Sequence, residues 1–96
     1  MSLIDVGLGN ILEVERIIFI TNFKSSASNR LIQDAKNNDM YVDMSQGRKK
    51  RSLIFSEVGN RYILSASYLS PDTIRKRINR VEDFIDKKSE EDKVVH

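Results

Sequence analysis

Residues 51–67 read RSLIFSEVGNRYILSAS. Leu53 and Phe55 fall on one face of a strand before Gly59-Asn60, and Tyr62, Leu64 and Ala66 on one face of the facing strand after it. Period-two alternation on both sides of a glycine-asparagine pair predicts a β-hairpin, because these residues accept the backbone angles that a tight turn imposes. The remaining elements are placed around that hairpin.

Upstream, MYVDM (40–44) reads as a short strand and SQG (45–47) as a turn. Before them, SSASNRLIQDAKNNDM (25–40) opens on serines able to cap a helix and sets Ala27, Leu31, Ile32 and Ala35 at helical spacing. Asn37-Asn38-Asp39 stops it, so a helix is expected over about 26–37, with Asn29, Arg30, Gln33 and Lys36 outside. ERIIFITNF (15–23) is a strand whose run Ile17-Ile18-Phe19-Ile20 is apolar on both faces, which requires a cover on each. A helix of the same chain or a neighbouring subunit would serve. SLIDVGLGN (2–10) reads as a short strand and a turn; a dinucleotide loop is not expected, since the third glycine and the crossover helix are missing.

Downstream, Ser70 is placed to cap a helix that begins at Pro71 and carries Asp72 in its first turn. Ile74, Ile78, Val81 and Ile85 form one stripe, and the helix is expected to end near residue 86. Arg75, Lys76, Arg77 and Arg80 lie off the stripe and read first as a solvated face. SEEDKVVH (89–96) lacks a packing pattern. These readings predict an α+β fold, a small mostly antiparallel sheet with two helices, in a single domain over 1–86 followed by a flexible tail over 87–96.

The chain has 96 residues and no cysteine, which excludes disulfides and thiolate chemistry and points to a reducing cytoplasm. Its one histidine, His96, is the last residue, a poor position for a general base. Asp5, Glu13, Glu15, Asp34 and Asp43 form no acid–base constellation. No enzyme activity, cofactor or metal is therefore expected. No apolar run reaches the length of a membrane span, so no membrane association is expected either.

The net charge of +2 is unevenly spread: a basic middle lies between acidic ends. Most of the excess comes from Arg48, Lys49, Lys50 and Arg51, directly after Gly47. In an extended chain Arg48 and Lys50 would point one way and Lys49 and Arg51 the other, unless Gly47 twists the run. Such a run suits a phosphate backbone, and arginine adds a planar fork for phosphate or guanine. Solvent, an acidic protein partner acting through an adaptor role, and RNA remain alternatives. RNA is the weaker one, since single strands need exposed aromatics and these make up 7% of the chain.

The segments VGLGNILEVERIIFI (6–20), RLIQDAKNNDMYVDMSQGRKKRSLIF (30–55), ILSA (63–66) and PDTIRKRI (71–78) occur in an order and spacing that resembles the RemA-type extracellular matrix regulatory proteins of bacteria. The resemblance covers about residues 3–80. It implies a fold similar to the LytTR DNA-binding domain and a cytoplasmic, nucleoid-associated activator of biofilm matrix genes. It further implies a ring-like homo-oligomer, a heptamer or octamer, that binds double-stranded DNA through outer arginines. The matching positions are Arg16 and the segment from Arg48, where Lys49 replaces an arginine and Arg51 is kept; Lys50 adds charge and Arg30 is a peripheral candidate. The oligomer interface is expected at Ile17, Ile18, Phe19 and Ile20. The chain departs from the family pattern in KSSASNR (24–30), which lacks a proline, in the EVGNR (57–61) turn, and in SYLSPDT (67–73), which is longer.

Overall fold

In the computed structural model, which describes the backbone of residues 2–94 and the side chains of residues 2–83, the chain forms six strands and two helices. These are β1 (Leu3–Asp5), β2 (Ile11–Glu13), a short 3-10 turn (Val14–Arg16), β3 (Ile17–Asn22), α1 (Ser26–Asn37), β4 (Tyr41–Asp43), β5 (Ser52–Val58), β6 (Arg61–Ser67) and α2 (Pro71–Val94). The hairpin forms as its alternation predicts: Leu53 faces Ala66 and Phe55 faces Leu64. Gly59 takes the positive φ of +61° at the turn between them.

The main sheet has the order β3-β5-β6-β4, antiparallel except for the parallel β4–β6 pair. β1 and β2 form a separate two-stranded ribbon. The fold is thus α+β and mostly antiparallel, with both faces of the main sheet covered. On one face α1 seals a core of Ala35, Leu53, Leu64 and Ala66. On the other, α2 and the ribbon bury Ile4, Val6, Met44, Ile54 and Ile74.

Three details differ from the sequence reading. β2 and the 3-10 turn were not separated from the stretch before β3: with three residues each they are too short for a periodic signal, and only pairing with β1 defines β2. The inward position in the first turn of α1 belongs to Ser28, fully buried, while Ala27 is exposed. Positions 28, 31, 32 and 35 share one helix face, and the buried hydroxyl of Ser28 is satisfied by the carbonyl of Asn22 at 2.6 Å. Finally, the backbone of α2 continues to Val94, past the expected end near residue 86. No proline or glycine follows Pro71 to stop it. The burial expected for Ile85 and the reading of His96 fall outside the described residues.

The apolar run of β3 is resolved by a β-bulge. Ile17 faces Ser56 and Phe19 faces Phe55, leaving Ile18 as the extra residue. Ile17 and Ile20 pack against the α2-side core. Phe19 stacks on Phe55 at 4.9 Å between ring centroids, and Phe55 on Tyr62 at 4.8 Å, along the α1 side. Ile18 and Phe19 stay 55% and 39% exposed, on a strand that is an edge of the sheet.

Candidate nucleic-acid interface

The basic run does not belong to a strand, since β5 begins at Ser52. It issues from a tight turn over Ser45–Arg48, closed by the Arg48 N–H donating to the Ser45 carbonyl at 3.0 Å. Gln46 (φ +51°) and Gly47 (φ +83°) both take left-handed angles, the geometry of a type I′ turn. Asp43 buttresses that turn: its Oδ1 accepts from the Ser45 N–H at 2.9 Å and from the Ser45 hydroxyl at 2.6 Å. Those two bonds, the hydroxyl first, hold the Asp43 carboxyl below its ordinary range, with the Lys50 ammonium adding to the effect.

The four cations therefore stand in four different settings. Arg48 lies over the ring of Tyr68, its guanidinium carbon 5.2 Å from the centroid. Lys49 is exposed. Lys50 sits 3.4 Å from Asp43 Oδ2. Arg51 is pinned by its backbone, its N–H donating to the Ser67 carbonyl at 2.9 Å and its carbonyl accepting from Phe23 at 3.0 Å, while its side chain is exposed. Among the described residues, no carboxylate pairs with Arg48, Lys49 or Arg51.

Arg16 ends the 3-10 turn, more than half exposed, with Nε 2.5 Å from Glu13 Oε2. The next residue, Ile17, faces Ser56, about 17 Å along β5 from Arg51 at roughly 3.4 Å per residue, so Arg16 lies at the far end of that strand. One protomer thus carries two separated cationic sites. Arg30 is exposed on α1. Three described cations of α2 have partners: Arg75 and Lys76 share Asp72, at 2.6 and 3.2 Å, and Arg77 donates to the Asp5 carbonyl at 2.6 Å.

Of the expected interface residues, Ile18 and Phe19 are presented outward and Ile17 and Ile20 serve the core. The four line a cleft of about 560 Å³ between β3 and α2, walled by Val14 and Ile78 and rimmed by Asp72, Arg75 and Glu82. Sequence reasoning passed over Tyr68, which carries no motif and lies outside the strand alternation; only the fold brings it to Arg48.

A family model described as RemA-like, Extracellular matrix regulatory protein A-like, matches residues 3–78. The chain belongs to the RemA-like family. Among RemA-like relatives named as regulatory proteins, one from Thermoanaerobacter sp. (strain X514) is 35% identical over 92 residues, covering 96% of this chain and 93% of the relative. One from Bacillus pumilus is 35% identical over 86 residues (90% and 93%), and one from Acetivibrio thermocellus 37% over 82 residues (85% of each). The RemA-like match runs from β1 into α2 and so contains Arg16, Arg30 and the whole Arg48–Arg51 loop.

Proposed function

We propose that this RemA-like chain is a cytoplasmic transcriptional regulator that binds double-stranded DNA as a ring-like homo-oligomer, an activator of extracellular matrix genes. The observation that carries the reading is the loop from Gly47 to Arg51: four consecutive cations that follow a braced type I′ turn, three of them without a carboxylate partner among the described residues. A cationic loop that its own fold leaves uncompensated suits a polyanion, and the family's regulatory character makes DNA the polyanion of choice. Arg48, Lys49, Lys50 and Arg51 contact phosphates, with Arg16 as a second site and Arg30 at the periphery.

Oligomerisation belongs to the same proposal. A single loop gives few phosphate contacts and modest affinity, whereas copies joined in a ring present their loops to one duplex at high effective concentration. The bulged edge at Ile18 and Phe19 supplies the apolar surface for that joining.

The test is a titration of labelled duplex DNA at several salt concentrations, with light scattering in parallel, for wild type and a variant carrying Arg48→Ala and Lys49→Ala. Wild type should bind with a steep salt dependence, and the variant should keep its mass and lose at least tenfold in affinity. A folded oligomer that ignores duplex DNA at low salt would sink the reading in favour of an acidic protein partner; preference for RNA in competition would replace duplex by single strand.

A further inference from the structure

Resting on the DNA-binding reading, we infer that Tyr68 is a positioning residue that presents the Arg48 guanidinium to the nucleic acid, and that Gly7 exists to make room for its ring. Tyr68 is clamped by its chain neighbours. The Ser67 hydroxyl donates to the Val6 carbonyl at 2.6 Å and accepts from the Leu69 N–H at 3.1 Å, and the Ser52 hydroxyl donates to the Leu69 carbonyl at 2.8 Å. The ring so placed lies against Gly7: a Cβ there would come within 2.7 Å of Cε1 and 2.9 Å of Cδ1. The Gly7–Asn10 turn is tied to the chain before Arg48 through Asn10, whose Nδ2 donates to the Gly7 carbonyl at 2.7 Å and the Met44 carbonyl at 3.4 Å.

The Arg48 guanidinium lies over this ring, at 5.2 Å from its centroid. The ring engages one side of the guanidinium and leaves the N–H donors on its other side free for a phosphate or a guanine edge. Lys50 is instead drawn toward Asp43, and no aromatic ring supports Lys49 or Arg51 among the described residues. Arg48 is therefore the cation of the loop whose orientation is set before DNA arrives. The gain is a smaller ordering cost on binding, not an extra contact.

The test is a double-mutant cycle on the full chain, with a fluorescein-labelled mixed-sequence duplex as probe. Tyr68→Leu should weaken binding about two- to fivefold, the range of an exposed cation–π contact, and Tyr68→Phe should bind as wild type. In an Arg48→Ala background, Tyr68→Leu should have no further effect. Wild-type affinity in Tyr68→Leu, or equal weakening in both backgrounds, would overturn the positioning role. If Arg48→Ala itself bound as wild type, the proposal would fall together with the Arg48 contact; loss in Arg48→Ala without coupling to Tyr68 would remove the positioning role alone. Should Tyr68→Leu fail to fold, the Arg48 side-chain NMR shifts of wild type decide: ring-current displacement that persists in Tyr68→Phe is expected, and random-coil shifts would refute the stack.

Discussion

Gly7 answers to two constraints at once. Its φ of +118° lies where side chains are strained, and the space a Cβ would need is taken by Tyr68. Gly9, at φ +81°, has open space around it. Gly7→Ala should therefore cost about 1–3 kcal/mol and Gly9→Ala about 1 kcal/mol or less, read as separate urea midpoints. Equal costs would show that φ alone matters. The sequence marked Gly7-Leu8-Gly9-Asn10 as a turn, because turn chemistry is local; that a tyrosine sixty residues on fills the space beside Gly7 is tertiary. Asp43 carries the second residue-scale prediction. Its folded pKa lies below the ordinary 3.8, the hydrogen bonds from Ser45 being the main cause. A depressed carboxylate pKa stabilises the fold fully above the unfolded value, and that contribution is lost as pH falls from about 4 through the folded value. Asp43→Ala should thus cost about 1–2 kcal/mol at neutral pH, from two lost hydrogen bonds, and less in urea melts near pH 3.

At the scale of elements, α1 and the β5–β6 hairpin were legible because their signals are periodic and bounded by caps and turns. The N-cap of α1 is Ser25, whose hydroxyl accepts from the Ser28 N–H at 3.0 Å, and that of α2 is Ser70, which accepts from the Thr73 N–H at 3.2 Å. The bulge in β3 was not legible, since four consecutive apolar residues read the same with or without an inserted one. The stripe of α2 was read correctly at Ile74, which is fully buried, and at Ile78 and Val81, which pack on the same core. Ile74→Ala should cost about 2–5 kcal/mol, because the hole it leaves is walled by Ile54 and its core neighbours on the sheet and ribbon. A loss below about 1 kcal/mol in chemical denaturation would mean that α2 is not needed to close this face.

At the scale of the molecule, the sheet ends on two edge strands, β3 and β4, and each exposes apolar side chains: Ile18 and Phe19 on one, Val42 on the other. Different patches on two edges suit head-to-tail contacts between copies, which close into a ring when the rotation permits. Ile18→Glu should leave chemical stability within about 0.5 kcal/mol, as expected for an exposed site, yet lower the mass seen by light scattering and weaken DNA binding with it. An unchanged mass would remove this edge from the interface.

By itself the sequence determined what local chemistry can: the hairpin, the first helix, the cationic run after Gly47, the lack of cysteine, and through the order of its segments the RemA-like family. Only the tertiary structure decided which surfaces those elements share. It placed Arg16 and the Arg48–Arg51 loop at opposite ends of β5, divided the apolar run of β3 between core and edge, paired Arg75 and Lys76 with Asp72 and Arg77 with Asp5, and set Tyr68 between Gly7 and Arg48. The reason is range: turns, caps and periodicity act over a few residues, whereas a charge is left free or compensated, and an arginine oriented or loose, by neighbours that only chain folding brings within a few ångströms.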